Sequence, residues 1–323
     1  MQATLDNSDI LIKVDNLSRR YGDTLAVNQV SFELHKGEVL GFLGPNGAGK
    51  STTMQMITGN LAPTTGQILI HGYDMIDDPI QAKSSIGYLP ENPPVYRELT
   101  VDEYLDYCAR LHRLKGSEIK QAMDEAKQHC GLHEVSRRLI GNLSKGFQQR
   151  VGIAQAIIHR PQVVILDEPT VGLDPIQIRE IRSLIKSLGT ERSVILSTHI
   201  LPEVQATCDH VQIIRRGELI YNAPIDQLNP KGQGLMLRVA FRQPPGRPAL
   251  QQLSGVVQIT ELDAARYQIQ FEQEQQIDDL VAQSVANGWG LFELIPEHAS
   301  LEEIFVELTT SEAPAADETE AAA

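Results

Sequence analysis

The chain has 323 residues, 41% of them hydrophobic, enough for one large domain or two moderate ones with a sizeable core. Its 28 basic against 42 acidic residues leave a formal net charge of −14, which argues against a nucleic-acid-binding surface, so no nucleic-acid partner is expected. The three cysteines, Cys108, Cys130 and Cys208, stand far apart with no CxxC pair and predict reduced thiols in a cytoplasmic protein, not a metal site.

The opening MQATLDNSDI has neither a basic start nor an apolar run, so no signal peptide is expected. No stretch approaches the roughly 18 apolar residues of a membrane helix, so any membrane part would come from another chain. Val30, Phe32 and Leu34 alternate as in a half-buried strand, and Val39 to Leu43 form a second strand that runs into a glycine loop. A helix follows from about Gly49, then the short strands GQILIHG and SSIGYLP. The period changes at Thr100, which forms a capping box with Glu103 ahead of Tyr104, Tyr107, Cys108 and Leu111 at helical spacing. A further helix spans about 118–130 and stops at Gly131, so residues from about 95 to 160 form a mostly helical insert. Within it, NLSKGFQQR places a capping Ser144 and a bare Gly146 at a helix start, the kind of backbone that binds phosphate. The buried strand VVILDEP, a helix near 176–188 and the strand SVILST then predict a parallel sheet covered on both faces.

Residues 223–234 are rich in Pro, Gly, Asn and Gln, and the linker is set at 226–234. Beyond it, Leu235, Leu237, Val239 and Phe241 alternate, a Pro-rich break follows, and Tyr267, Ile269 and Phe271 alternate again. Ile277, Leu280 and Val281 mark a helix, WGLFELI a strand, and Ser300 with Glu303 caps a last helix carrying Leu301, Ile304, Phe305 and Leu308. Residues 235–309 thus read as a small α+β domain. The acidic tail 310–323 is expected to be disordered.

The segment GPNGAGKST matches G-x-x-x-x-G-K-[ST] through Gly44, Gly49, Lys50 and Ser51, at the strand–helix junction this phosphate loop requires. Gly44, Pro45, Asn46, Gly47, Ala48 and Gly49 would form the ATP-binding loop, whose glycines let backbone N–H groups curl round the phosphates. Lys50 would neutralise the β- and γ-phosphates, Ser51 would ligate Mg2+, and Thr52 continues the helix start. Asp167 and Glu168 emerge at the carboxyl end of a buried strand, where α/β sheets bind ligands. Asp167 suits Mg2+, and Glu168 suits polarising a water for attack on the γ-phosphate. His199 follows another buried strand and is either structural or within reach of that water. Asp174 follows a Gly-Leu turn, and Tyr21 either stacks on adenine or packs. The fold class is α/β, of the P-loop NTPase kind, with the small α+β domain behind it.

In this order and spacing, RYGDTLAV, GPNGAGKST, GYLPENPP, LSKGFQQR, VVILDEPTVGLDP and STHIL resemble the ATP-binding subunit of bacterial ABC transporters, over about residues 10–225. The unit ending SLEEIFVEL resembles an accessory domain of export cassettes, nearest the gliding-motility-associated and multidrug export group. The resemblance implies residues 1–225 as a nucleotide-binding ATPase domain, with ATP and Mg2+ as ligands. It implies a homodimer or heterodimer of cassettes closing head to tail, with Leu143, Ser144, Lys145, Gly146 and Phe147 capping the nucleotide held by the other subunit, and Asp174 as the acid of the D-loop. Multi-span permease subunits would carry the substrate, which places this chain on the cytoplasmic face of the membrane. Two features depart from the family pattern: Glu91 stands where Gln is usual, implying a loop ligand for Mg2+, and Lys145 and Phe147 replace residues of the usual Leu-Ser-Gly-Gly-Gln. Lys145 points either toward the other subunit's phosphate or to solvent. A soluble ABC-type ATPase acting on a non-membrane partner, and an ATP-gated assembly module, are the alternatives.

Overall fold

The structure, a computed structural model, describes residues 9–225, 235–271 and 277–297. The chain divides into two compact units, Met1–Ile225 and Asp226–Ala323.

In the first unit three strands are buried along their whole length: β3 (Val39–Leu43), β7 (Val163–Asp167) and β8 (Ser193–Thr198). Strands of continuous Val, Ile and Leu can be buried only with cover on both faces. With β6 (Ile86–Leu89), β9 (His210–Arg215) and β10 (Glu218–Pro224) they form a six-stranded sheet ordered β10-β9-β3-β8-β7-β6, parallel except for the antiparallel edge strand β10. One face is covered by a second, antiparallel sheet of order β2-β1-β4-β5, built from β1 (Ile10–Tyr21), β2 (Thr24–His35), β4 (Thr65–Ile70) and β5 (Tyr73–Asp74). Ile12, Leu17 and Leu34 from this sheet share a core with Phe42, Ile165 and Ile195 from the parallel one. Helix α1 (Lys50–Ile57) contributes Met54 and Met56 to the same core. Val30, Phe32 and Leu34 point inward, as the alternation of β2 requires.

Helix α2 (Pro79–Ser84) precedes β6, and the insert follows as α3 (Val101–Leu111), α4 (Ser117–Cys130) and α5 (Lys145–Ile157). Both halves of the capping box form at α3, with Thr100 N–H donating to Glu103 (2.8 Å) and Glu103 N–H to Thr100 (3.2 Å). Gly131 closes α4 in the left-handed region at φ 64°. Helices α6 (Pro175–Gly189) and α7 (Leu201–Thr207) connect β7, β8 and β9. The Pro-rich composition suggested that irregular chain begins at residue 223, yet β10 runs on to Pro224, paired with His210. Proline is tolerated there because β10 is an edge strand.

The second unit forms an antiparallel sheet ordered β12-β13-β11-β14, from β11 (Leu235–Phe241), β12 (Val256–Glu261), β13 (Arg266–Phe271) and β14 (Leu291–Glu297), with the short α8 (Arg247–Leu250) and α9 (Ile277–Ala286). Leu237, Val239, Phe241, Ile269, Phe271 and Leu280 make its own core. Strand β12 has no counterpart in the sequence reading, because only Ile259 of its six residues is buried and the alternation is faint. The linker 226–234, the last helix expected from Ser300 and the tail 310–323 lie outside the described residues. Among the described residues no helix is long and apolar enough to cross a membrane. All three cysteines are buried free thiols.

Where the insert meets the parallel sheet, His112 beyond α3 and His159 beyond α5 stack with centroids 3.8 Å apart and planes 2° from parallel. A His159 ring nitrogen lies 3.0 Å from the Ile86 carbonyl oxygen. Burial, with His112 and Arg192 nearby, pushes the His159 imidazole down to about 4, and burial also lowers His112. A folded-state value below the unfolded one stabilises the fold above the unfolded value near 6.5, and that contribution is lost as pH falls toward the folded value. Wild-type protein should therefore lose up to about 3 kcal/mol more between pH 6.5 and 4 than His159→Gln. Urea melts across that range measure the difference, and parallel curves for the two proteins would refute it.

Candidate active site

The loop between β3 and α1 must turn sharply against β9. A side chain at Gly44 would place its Cβ 2.4 Å from the Ile214 carbonyl oxygen, and Gly49 takes φ 107° at the cap of α1. Only glycine meets both demands. The loop curls over its own lysine: Lys50 Nζ donates to the carbonyls of Gly44 (2.8 Å) and Pro45 (3.3 Å). It also lies 3.2 Å from Glu168 Oε1, with both side chains buried. A buried ion pair of this kind is costly to break, because the remaining charge is left unpaired away from water.

Glu168 follows β7 directly and adopts φ 49°, a left-handed conformation that costs a residue with a side chain about 1–3 kcal/mol. Its N–H donates to the Ser197 carbonyl (2.8 Å), which ties it to β8. Its second oxygen, Oε2, lies 2.9 Å from His199 Nδ1. Lys50, Glu168 and His199 thus form a continuous polar line along the carboxyl edge of β3, β7 and β8. Beside it, Asp167 accepts from Ser197 Oγ at 2.7 Å and from the Ser51 hydroxyl. Burial raises the Asp167 carboxyl above its ordinary value, against these hydrogen bonds and the nearby Lys50.

A cavity of about 430 Å3 opens over this line, with Asn46, Gly47, Ser51, Thr52 and Glu91 on its walls together with Lys50, Glu168 and His199. Gly47 faces open space there at φ 80°, so its backbone is accessible to a phosphate. The fit to ATP with Mg2+ is good. Among the described residues no cluster of three or more His, Cys, Asp or Glu side chains could hold a metal alone. A hydroxyl and one carboxylate side by side suit Mg2+, which keeps water ligands and takes phosphate oxygens as well.

Several expected site residues lie elsewhere. Residues 143–147 do not line the cavity. Ser144 is exposed and caps α5, accepting from the Phe147 N–H at 3.4 Å. Gly146 is buried against Gln177 of α6, where a Cβ would come within 2.7 Å of the side-chain amide carbon. Lys145 Nζ rests against Gly172, in its own chain's turn beyond β7. Phe147 has the Arg150 guanidinium 5.5 Å from its ring centre. Asp174 caps α6, accepting from the N–H groups of Ile176 and Gln177, both at 2.9 Å. Tyr21 ends β1, 46% exposed, under the Arg19 guanidinium at 4.7 Å and outside the cavity lining. The sequence reading missed Ser197, Thr198 and Glu203. The hydroxyls lie within STHIL, where the histidine drew the reading, and an acid on a short helix carries no pattern of its own.

The chain matches the ABC transporter family over residues 27–171. The bacitracin transport ATP-binding protein BcrA of Bacillus licheniformis is 40% identical over 225 residues, covering 69% of this chain and 72% of that protein. The linearmycin resistance ATP-binding protein LnrL of Bacillus subtilis is 33% identical over 305 residues, covering 93% of this chain and 98% of that protein. Among solved structures, cbiO1 of Clostridium perfringens, part of the cbiONQ transporter complex, superposes with a TM-score of 0.63 at 30% identity, covering 69% of this chain and 92% of that one.

The buried pair makes its own prediction. Lys50→Met should destabilise the nucleotide-free protein by about 3 kcal/mol, and adding Glu168→Gln should recover most of that loss. Urea denaturation of the two single variants and the double variant closes the cycle, and additive losses would show the pair to be uncoupled.

Proposed function

The chain belongs to the ABC transporter family as an ATP-binding subunit that hydrolyses ATP, and we propose that it powers export through a separate multi-span membrane permease. ABC subunits bind ATP with Mg2+, dimerise, and partner with permease components. Export, and a position on the cytoplasmic face of the membrane, draw support from relatives named for bacitracin transport and linearmycin resistance, the second similar across the C-terminal unit as well.

The observation that carries the reading is the line Lys50–Glu168–His199, at 3.2 and 2.9 Å, along the wall of a phosphate-sized cavity. In the proposed roles, Lys50 and the N–H groups of residues 46–51 hold the β- and γ-phosphates. Ser51 and Asp167 hold Mg2+, which when bound neutralises charge developing across those phosphates. Glu168 accepts the proton of the attacking water, and His199 orients that carboxylate from its far oxygen. Ser144, Gly146 and the first N–H groups of α5 do not line this cavity, and in this reading they serve the ATP held by a second copy of the chain. Two copies then close head to tail over two nucleotides, because the donors of both meet only in the closed state. Glu91, on the cavity wall, is an added acceptor for the metal.

Glu168→Gln should lower ATP turnover by at least about 10²-fold, the scale of lost general-base catalysis, while ATP drives it into a stable dimer. Adding Ser144→Arg to that variant should abolish the dimer and leave ATP binding by single chains intact. Size-exclusion chromatography with light scattering reads both, and a Glu168→Gln protein that stays monomeric at saturating ATP would overturn the head-to-tail reading. Glu91→Gln should make turnover less dependent on Mg2+ concentration, and superimposable Mg2+ titrations would remove Glu91 from the metal loop. Recovery of the chain in membranes only with a co-expressed multi-span partner tests the transport assignment.

A further inference from the structure

We infer that Glu203, on α7, is a positioning residue for ATP hydrolysis, holding the turn that carries Glu168 against the loop that carries His199. The inference rests on the roles proposed above for those two residues.

Glu203 is 1% exposed. Among the described residues no cation lies within ion-pairing distance of it. Its carboxylate is held by two hydroxyls: Thr170 donates to Oε1, and Thr198 donates to Oε2 at 2.8 Å. Burying a carboxylate on hydroxyls alone is an expensive way to fill space, and an apolar side chain against two valines would pack that volume at lower cost. What the carboxylate adds is a bridge between two loops.

The bridged positions bear directly on the site. Thr170 stands two residues beyond Glu168, in the turn that the left-handed Glu168 opens and the Val171 N–H closes on the Glu168 carbonyl at 3.3 Å. Thr198 immediately precedes His199, and its hydroxyl also accepts from the Ile200 N–H at 3.1 Å, so one hydroxyl spans the histidine. The two loops are already tied at their base by the bond from the Glu168 N–H to the Ser197 carbonyl, 2.8 Å long. Glu203 supplies a second tie beyond the reacting side chains. Between the two ties, Glu168 Oε2 and His199 Nδ1 meet at 2.9 Å. Glu203 is itself fixed: its N–H donates to the Ile200 carbonyl at 3.0 Å, and its own carbonyl accepts from Thr207 Oγ1 at 2.6 Å. A carboxylate touching neither the cavity nor its contents therefore sets the relative placement of two groups that do.

A positioning role predicts a loss in kcat without a loss in ATP binding. Glu203→Ala should lower kcat at least tenfold and at most about 10²-fold, the scale of a misplacement remote from the chemistry. Thr198→Val and Thr170→Val, which delete a hydroxyl and keep the shape, should each lower kcat several-fold even where Glu203→Ala folds poorly. KM for ATP should stay within about twofold, and each substitution placed in the Glu168→Gln background should still dimerise with ATP. Glu203→Gln should recover most of the rate, because its carbonyl accepts from one threonine while its amide donates to the other. Glu203→Ala combined with Thr198→Val should cost no more than the larger single loss. Wild-type kcat in the two valine variants, or a raised KM with kcat unchanged, would overturn the inference. Glu168→Gln serves as the control: an active Glu168→Gln protein sinks the proposed roles themselves, whereas an inactive one beside fully active threonine variants sinks only the role of Glu203.

Discussion

The site depends on one constraint: polar groups must leave a buried parallel sheet at its carboxyl edge without being left unpaired. β3, β7 and β8 are buried from end to end, so the polar groups at their carboxyl edge are largely shielded from water. Lys50 and Glu168 satisfy that demand by facing each other, and Asp167 by accepting from Ser197 and Ser51. The side chains of Lys50, Ser51, Asp167 and Glu168 are therefore already engaged with other groups of the site. Entry of a polyphosphate exchanges these partners and avoids desolvating fresh charges, which keeps the exchange energetically mild. The left-handed Glu168 backbone fits the same picture, since a strained residue persists only where its surroundings over-determine it.

A second consequence concerns incompleteness. The cavity is walled by the phosphate loop, Glu91, Glu168 and His199, and residues 143–147 are not part of its lining. The exposed start of α5, with Ser144 as its cap, offers N–H donors on a different part of the same unit. On the proposed head-to-tail reading, the helix start and the cavity are complementary halves that a second cassette brings together. In that proposed dimer, nucleotide acts as shared interface, and its cleavage removes contacts that exist in the closed state alone.

Much of this was legible in the sequence because it is local. The phosphate loop, the acids after VVILD, the capping box at Thr100 and the stop at Gly131 are each set by neighbours within a few residues. Features that depend on distant pairing were not. β1 meets β2 and β4 through several register shifts, which blur its alternation. β10 reaches Pro224 only because β9 is there to receive it. The direction of Lys145 is decided by Gly172, a residue that lies far off in sequence and offers no side chain to clash with the ammonium group. The Glu203 bridge joins three elements through hydroxyls, which no spacing rule marks.

The departures from the usual signature acquire a physical meaning once α5 is seen against α6. Gly146 packs on Gln177, and Arg150, beside the Phe147 ring, pairs with Glu180. Lys145 rests on Gly172, two residues before the Asp174 cap of α6. The start of α5 and the segment from Gly172 to Glu180 are therefore fastened at three places. That segment continues directly from Val171 on the cavity wall and from the turn opened by Glu168. The 168–171 turn is thus joined through packed side chains to the Ser144 cap, the surface proposed to serve the other nucleotide. Lys145 belongs to this fastening, which gives the cation a role within its own chain. Phe147 does as well, its ring lying beside the Arg150 guanidinium that pairs with Glu180. On the proposed reading, contacts continuous with one half-site of this chain hold the geometry of the half it offers to its partner.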